Sequence, residues 1–386
     1  MRNWLLPEYI EDVLPEDALR IESMRRALLD FFRVHGYQLV MPPMLEYVES
    51  LLSGTGHDLD LATFKLVDQL SGRHMGVRAD ITPQVARIDA HLLNRLGVTR
   101  LCYAGSVLHA RPAGLTKSRE PFQVGAELYG HAGLESDLEI QQLTIDALKL
   151  IGVNKVRLDI GHPAIFRALL REAACTEEQA EELFHAVQAK DVPALNDLTR
   201  DLGALRPALL ALPTLYGDAQ VLKRARDALP TVPAVLAALA DLERVMALFA
   251  DKGVAAGIDL AELGGFNYES GMVFAAYAHG SPDAVARGGR YDEIGKTFGR
   301  ARPATGFSLD LKPLLELLPR QALPAGILAP AQGGDARLAE TIAALRKAGE
   351  IVIQELPGHA AQRAESGCNR TLIKVSGEWQ VVPLAP

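Results

Sequence analysis

The chain has 386 residues and a formal net charge of −8, from 40 Lys+Arg against 48 Asp+Glu. That length supports a sizeable core and two or three structural units, and the acidic balance, with no visible Lys/Arg patch, argues against a dedicated nucleic-acid binder. The scattered cysteines Cys102, Cys175 and Cys368 imply a reducing compartment without a disulfide framework or metal site; the N-terminal stretch reads as no signal peptide and apolar runs such as Val232–Ala240 are too short to span a bilayer, so the expected place is the cytoplasm.

Pro15 to His35 carries Leu19, Met24, Leu28, Phe31 and Phe32 at helical spacing, followed by Gly36, the residue type that closes helices. A short strand over Tyr37–Val40 stops at Pro42–Pro43, which a central ladder does not accept. Leu45–Leu52 reads as a helix and Gly54–Gly56 as a loop. Phe64–Asp68 and His74–Ala79 read as strands around a turn at Ser71–Gly72–Arg73. Arg78, Asp80 and Thr82 then alternate onto one side. Pro83 opens a helix over Gln84–Leu96.

The stretch Thr99–Gly130 is the chemically richest. Strands Leu101–Leu108 and Phe122–Tyr129 flank a polar loop with Pro112, Gly114 and Pro121. Alternation puts Gln123, Gly125, Glu127 and Tyr129 on one face, and Phe122, Val124, Ala126 and Leu128 on the other. An amide, a gap, a carboxylate and a phenol in one row suit the floor of a pocket for a small ligand bearing N–H or ammonium donors. Gly125 leaves room on that floor. The plainer alternative is a half-exposed antiparallel strand.

Glu135–Ile151 is a helix with a broad apolar face, and Val156–Ile160 is a strand. Pro163 to about Lys252 shifts to Ala, Leu, Glu and Arg and reads as an inserted helical unit without a catalytic cluster. Strand character returns over Phe266–Tyr277 and Ala284–Arg287. Gly288-Gly289-Arg290-Tyr291-Asp292 follows, where glycines admit close backbone approach and aim an arginine. That arginine either braces the sheet through an ion pair or touches ligand. Ala304–Leu318 reads as a strand running into a helix, with Pro313 near the helix start. Strands at Gly326–Leu328, Ile351–Gln354, Thr371–Val375 and Trp379–Val382, with a helix at Ala336–Ala348, form a small terminal α/β unit.

In this order the pieces resemble the catalytic domain of class II histidyl-tRNA synthetases over roughly Pro15–Leu318. Gln123-x-Gly125-x-Glu127 resembles that family's histidine-contacting strand, and Arg78-Ala-Asp80-Ile-Thr82 its Arg-Pro-Glu-x-Thr segment. Phe266–Phe274 resembles its Leu-Asp-Tyr-Tyr-Thr-Gly-x-Val-Phe stretch. Gly288–Asp292 matches its Gly-Gly-Arg-Tyr-Asp, and Ala304–Leu311 its third class-defining motif. The resemblance implies an α+β fold, an antiparallel sheet flanked by helices. It implies a domain over residues 1–320 with the insertion at about 163–252, a short unit over 321–386, and a dimer interface near Pro42–Pro43.

The chain departs from that family on the ATP side. His109 stands where an arginine holds the α-phosphate, Pro313 where an arginine ends the third motif, and Gly264 where a further arginine assists adenylation. Charge grows on the α-phosphate oxygens in that reaction, and fixed cations stabilise it. Losing one such contact costs ~10²–10³ in rate; Arg111, Lys117 and Arg119 are the cations placed to compensate. An amino-acid pocket without its ATP half is similar to the regulatory subunits of ATP phosphoribosyltransferase, synthetase paralogues without catalysis. That resemblance implies no catalytic residue, cofactor or metal in this chain, and no tRNA. It implies a short-form ATP phosphoribosyltransferase catalytic subunit as partner, a self-dimer within a hetero-oligomer, and L-histidine as feedback effector of the first step of histidine biosynthesis. It carries over a histidine site of Asp80, Thr82, Arg111, Gln123, Glu127, Tyr268 and Glu269, with Glu127 and Asp80 facing the ammonium. The alternatives are a divergent paralogue adenylating an amino acid for a non-tRNA acceptor, and a stand-alone histidine sensor.

Overall fold

The computed structural model describes residues 4–52, 57–112, 118–264, 269–320, 322–331, 334–358 and 365–384. Tyr268, the Gly54–Gly56 loop, Gly114 and Lys117 lie outside the described residues. By its contacts the chain divides into two units, Met1–Asp12 with Ile21–Pro319 and Val13–Arg20 with Arg320–Pro386.

In chain order the strands of the larger unit are β1 (Gln38–Leu39), β2 (Leu45–Tyr47), β3 (Phe64–Val67), β4 (His74–Val77), β5 (Thr99–Ser106) and β6 (Phe122–Tyr129). They continue as β7 (Val156–Gly161), β8 (Tyr216–Gly217), β9 (Ala256–Asp259), β10 (Val273–Ala278), β11 (Ala284–Arg290) and β12 (Ala304–Asp310). The main sheet has the order β1-β5-β6-β12-β11-β10-β7-β9-β8. Its centre, from β5 to β7, is antiparallel, while β1 joins β5 and β9 joins β7 in parallel, so the sheet is mixed only towards its edges. One face is apolar. Val124, Ala126, Leu128, Phe307, Leu158 and Ile160 pack there with Ile140, Leu143 and Leu148 of helix Leu134–Leu150 and with Leu28 and Phe32 of helix Pro15–Val34. The strand alternation of the 122–129 segment is therefore as expected, and it leaves Gln123, Gly125 and Glu127 on the opposite face.

Four local expectations are corrected. Leu45–Leu52 is a strand before it is a helix: Leu45–Tyr47 pairs with β4, and only Val48–Leu51 is helical. The 84–96 helix runs as an α-helix over Thr82–Arg87 and widens to a π-helix over Ile88–Leu93. There Arg302 donates to buried Asp89 and to the carbonyls of Arg95 and Gly97, holding the end of the segment in place. The insertion is not wholly helical, because β8 adds an edge to β9. The strand expected over Ala284–Arg287 continues through Gly288 and Gly289 to Arg290. A Cβ on Gly288 would stand 2.3 Å from the Gly306 carbonyl oxygen and 2.6 Å from the Phe274 ring, so the glycine admits the close backbone approach expected of it as well as that ring.

In the smaller unit the strands are β13 (Gly326–Ala329), β14 (Val352–Gln354), β15 (Cys368–Val375) and β16 (Glu378–Pro383), in the order β14-β13-β15-β16. Leu338 and Ile342 of helix Ala336–Lys347 pack on Ile327, Ala329, Val352 and Leu372. No helix among the described residues is long and apolar enough to cross a membrane.

Candidate functional site

The polar face of the main sheet carries a row of register partners: Leu101, Glu127, Gly306, Gly289, Val273 and Gly161, running from β5 to β7. The glycines are there for space. A Cβ on Gly306 would lie 1.5 Å from Glu127 Oε2, so the Glu127 side chain lies flat across β12. A Cβ on Gly289 would lie 3.1 Å from Glu269 Oε1, and one on Gly264 only 1.6 Å from Glu269 Oε2. The two carboxylates thus lie over directly paired positions of adjacent strands, with strand spacing of about 5 Å.

Glu127 is 1% exposed. Tyr103 donates to its Oε1 at 3.1 Å and Tyr291 donates to its Oε2. Thr82 Oγ1 lies 3.0 Å from the Tyr103 hydroxyl. Because that hydroxyl gives its proton to Glu127, Thr82 is the donor to Tyr103. Gln123 is bound on both ends, its amide nitrogen donating to Asp80 Oδ1 at 2.7 Å and its oxygen accepting from the Ile81 N–H at 2.9 Å. Asp80 also accepts from the Thr82 N–H. The structure therefore brings Asp80, Thr82, Gln123 and Glu127 into one network and places Glu269 on the same face. Arg111 is exposed and makes none of these bonds.

The space attributed to Gly125 is filled from within. A Cβ there would stand 2.4 Å from the Tyr103 hydroxyl, so the gap admits the Tyr103 ring rather than a ligand. Tyr103 and Tyr291 are functional candidates that sequence reasoning missed. The available signal was register: Tyr103 pairs with Gly125 across the hairpin. Arg78 lies over Gly105 but is spent on the carbonyls of Ser106 and Pro42, at 2.9 and 2.8 Å.

Electrostatically the site is acidic. Burial pushes the Glu127 carboxyl up to about 8, with the Asp80 charge adding to it and the two phenol hydrogen bonds opposing. No Lys or Arg nitrogen pairs with Glu127 among the described residues. A carboxylate buried without a cation is costly unless a partner arrives, and the partner that fits carries N–H donors or positive charge.

On the side where the resemblance places ATP, the charged and polar groups are engaged with one another or with the backbone. Asp310 caps helix Leu311–Leu317 by accepting from the Lys312 N–H and also takes the Phe122 N–H; burial raises its pKa. Arg119 is committed, donating to the His109 carbonyl at 3.0 Å and lying over the Phe64 ring at 4.9 Å. The His109 ring reaches the Ala79 carbonyl at 3.0 Å. Arg290 is a brace: it holds Asp137 at 2.9 Å, Ser136 at 2.8 Å and the carbonyls of His131 and Gly133.

Residues 9–314 match the family model described as histidyl-tRNA synthetase, and residues 324–382 match the one described as ATP phosphoribosyltransferase subunit HisZ C-terminal domain. An ATP phosphoribosyltransferase regulatory subunit from Ralstonia pickettii is 60% identical over 384 residues, 99% of this chain and 98% of its own length. The chain belongs to the ATP phosphoribosyltransferase regulatory subunit family. A regulatory subunit from Burkholderia cenocepacia is 59% identical over 99% of this chain and 100% of its own. A crystal structure described as an ATP phosphoribosyltransferase regulatory subunit/histidyl-tRNA synthetase from Bacillus halodurans has a TM-score of 0.81 at 27% identity, covering 94% of this chain and 96% of that one. Histidyl-tRNA synthetase from Nostoc sp. PCC 7120, at 19% identity and a TM-score of 0.78, covers 99% of this chain and 97% of that one and shares the fold. The chain thus combines a synthetase-like sheet with the regulatory-subunit terminal unit.

Proposed function

We propose that this chain activates a short-form ATP phosphoribosyltransferase catalytic subunit and makes it responsive to L-histidine, held in the cleft over Glu127. The observation that carries the reading is a buried Glu127, tied to Tyr103 and Tyr291 and without a cation among the described residues, within a regulatory-subunit chain. Glu127 and Asp80 receive the N–H and ammonium groups of histidine. Thr82 and Gln123 orient those carboxylates, and Glu269 closes the far side. Tyr268 and Arg111 complete the proposed ligand set. The chain itself supplies no catalytic group; the partner joins ATP to phosphoribosyl pyrophosphate in the cytoplasm.

Self-association fits the β1 edge. Among the described residues β1 pairs only with β5, and Leu39, Met41, Met44 and Leu45 beside it are exposed, an apolar patch of the kind that dimer interfaces cover. The test is phosphoribosyl-ATP formation by the catalytic subunit, with and without this chain, across a histidine titration. Added chain is expected to raise the rate and bring histidine inhibition. Glu127→Gln is expected to lose most of that inhibition while still co-eluting with the catalytic subunit. A chain that neither co-elutes nor changes the rate overturns the reading.

A further inference from the structure

Glu269 is placed by more than its own strand. It lies in the connection between β9 and β10, and the helical insertion holds that connection at three points. Arg167, on helix Pro163–Glu172, donates from Nη1 to the Glu269 carbonyl. Gln188, the last residue of helix Glu177–Gln188, donates to the Gly264 carbonyl at 3.2 Å. Lys190 pairs with Asp259 at 2.7 Å, and Asp259 in turn caps the Ala261 N–H at 2.9 Å. The connection is also pressed onto the sheet, since the Glu262 carbonyl lies 2.0 Å from where a Gly161 Cβ would stand.

Burial works against the Arg167 charge, and the Glu269 carboxylate works for it. Among the described residues Nη2 of Arg167 is buried without a hydrogen-bond partner, and so is Nδ1 of neighbouring His162, which is 8% exposed. A guanidinium desolvated to this degree persists where the position it fixes matters. Gly264 adds a second constraint. It sits at φ +58°, and any Cβ there would strike the Glu269 carboxylate. Glu269 is thus fixed at its carbonyl by Arg167 and seated at its carboxylate against Gly264, whose own carbonyl Gln188 holds.

We propose that Arg167 and Gln188 are positioning residues of the effector cleft. They set Glu269 opposite Glu127 and make the helical insertion the element that responds when the cleft fills. A ligand that draws on Glu269 pulls on Arg167, and the insertion helices follow through these bonds. This rests on the reading of the Glu127 cleft as the histidine site.

The experiment is histidine titration of the full chain by calorimetry, paired with histidine inhibition of the reconstituted complex. Wild type, Arg167→Gln, Arg167→Lys, Gln188→Leu and Glu127→Gln are compared, with melting temperatures as control. Arg167→Gln is expected to weaken histidine binding and raise the half-inhibiting concentration about tenfold, as for a lost charge-assisted hydrogen bond. The uninhibited rate is expected to stay within twofold. Arg167→Lys, which retains one donor, is expected to recover most of the loss, and Gln188→Leu to show a smaller effect in the same direction. If Arg167→Gln and Gln188→Leu bind and respond to histidine as wild type does, while Glu127→Gln does not, this inference fails and the cleft reading stands. A loss that follows the melting temperature and that Arg167→Lys does not recover also overturns it. A wild-type chain that binds no histidine overturns both.

Discussion

Glu127 shows how one residue links burial to function. Its carboxyl is pushed from an ordinary 4.5 up to about 8, first by burial. Between those values an unfolded chain has released the proton that the folded chain retains. The unfolded state then binds fewer protons, so stability is fullest below pH 4.5 and falls as pH rises towards 8. His162, pushed down to about 4 by burial and then by Arg167, gives the opposite slope below pH 6.5. The clean readout is therefore the difference between wild type and Glu127→Gln: calorimetric melting should show wild type losing more stability than the variant between pH 5 and 8. A cationic ligand favours ionised Glu127, so histidine binding should release protons, measurable as a dependence of binding heat on buffer ionisation, and the release should shrink in Glu127→Gln. Gly306 tests the same geometry from below. Gly306→Ala places a methyl 1.5 Å from Glu127 Oε2, and overpacking of this kind costs about 1–3 kcal/mol. A lower melting temperature together with loss of histidine response is expected. An unchanged response would mean that Glu127 is not seated where the ligand is read.

At the scale of elements, Arg290 joins β11 to helix Leu134–Leu150. Its side chain and that of Asp137 are 8% and 7% exposed and meet at 2.9 Å. Breaking a buried pair by removing one partner costs about 3–5 kcal/mol. Arg290→Met should therefore destabilise strongly in denaturant melts, whereas histidine affinity per folded molecule should change little. Strong affinity loss at unchanged stability would make Arg290 a ligand contact instead. Elements of this kind were largely legible in the sequence, because alternation in 122–129 and 304–310 and the apolar period of 134–150 each follow from one buried face. What was not legible came from long-range partners. The π-helical turn at Ile88–Leu93 needs Arg302, more than 200 residues later in the sequence. The strand character of Leu45–Tyr47 needs β4. In the site, Asp80, Gln123 and Glu127 were readable as a polar row. The use of Gly125 was not, because only the register with Tyr103 shows which ring fills it.

At the scale of the whole molecule, the synthetase-like sheet persists while its charges have been reassigned. Two carboxylates, Glu127 and Glu269, lie over Gly306 and Gly289, and a third, Asp310, caps the helix beside the His109 ring. When ionised, carboxylates placed this way favour a cation over a polyphosphate. The change is not reversible one residue at a time. Gly264, where the resemblance places a synthetase arginine, is held at φ +58° with the Glu269 carboxylate in the space of any side chain. Gly264→Arg combined with Pro313→Arg restores two of the missing cations on paper. The first of them must displace Glu269 and adopt a backbone conformation that L-residues avoid. The double variant is therefore expected to show no ATP–pyrophosphate exchange with histidine, and to lose histidine inhibition of the reconstituted complex. Exchange activity in that variant would mean that the adenylation site is intact apart from its arginines, and that the acidic groups around Glu127 do not exclude ATP.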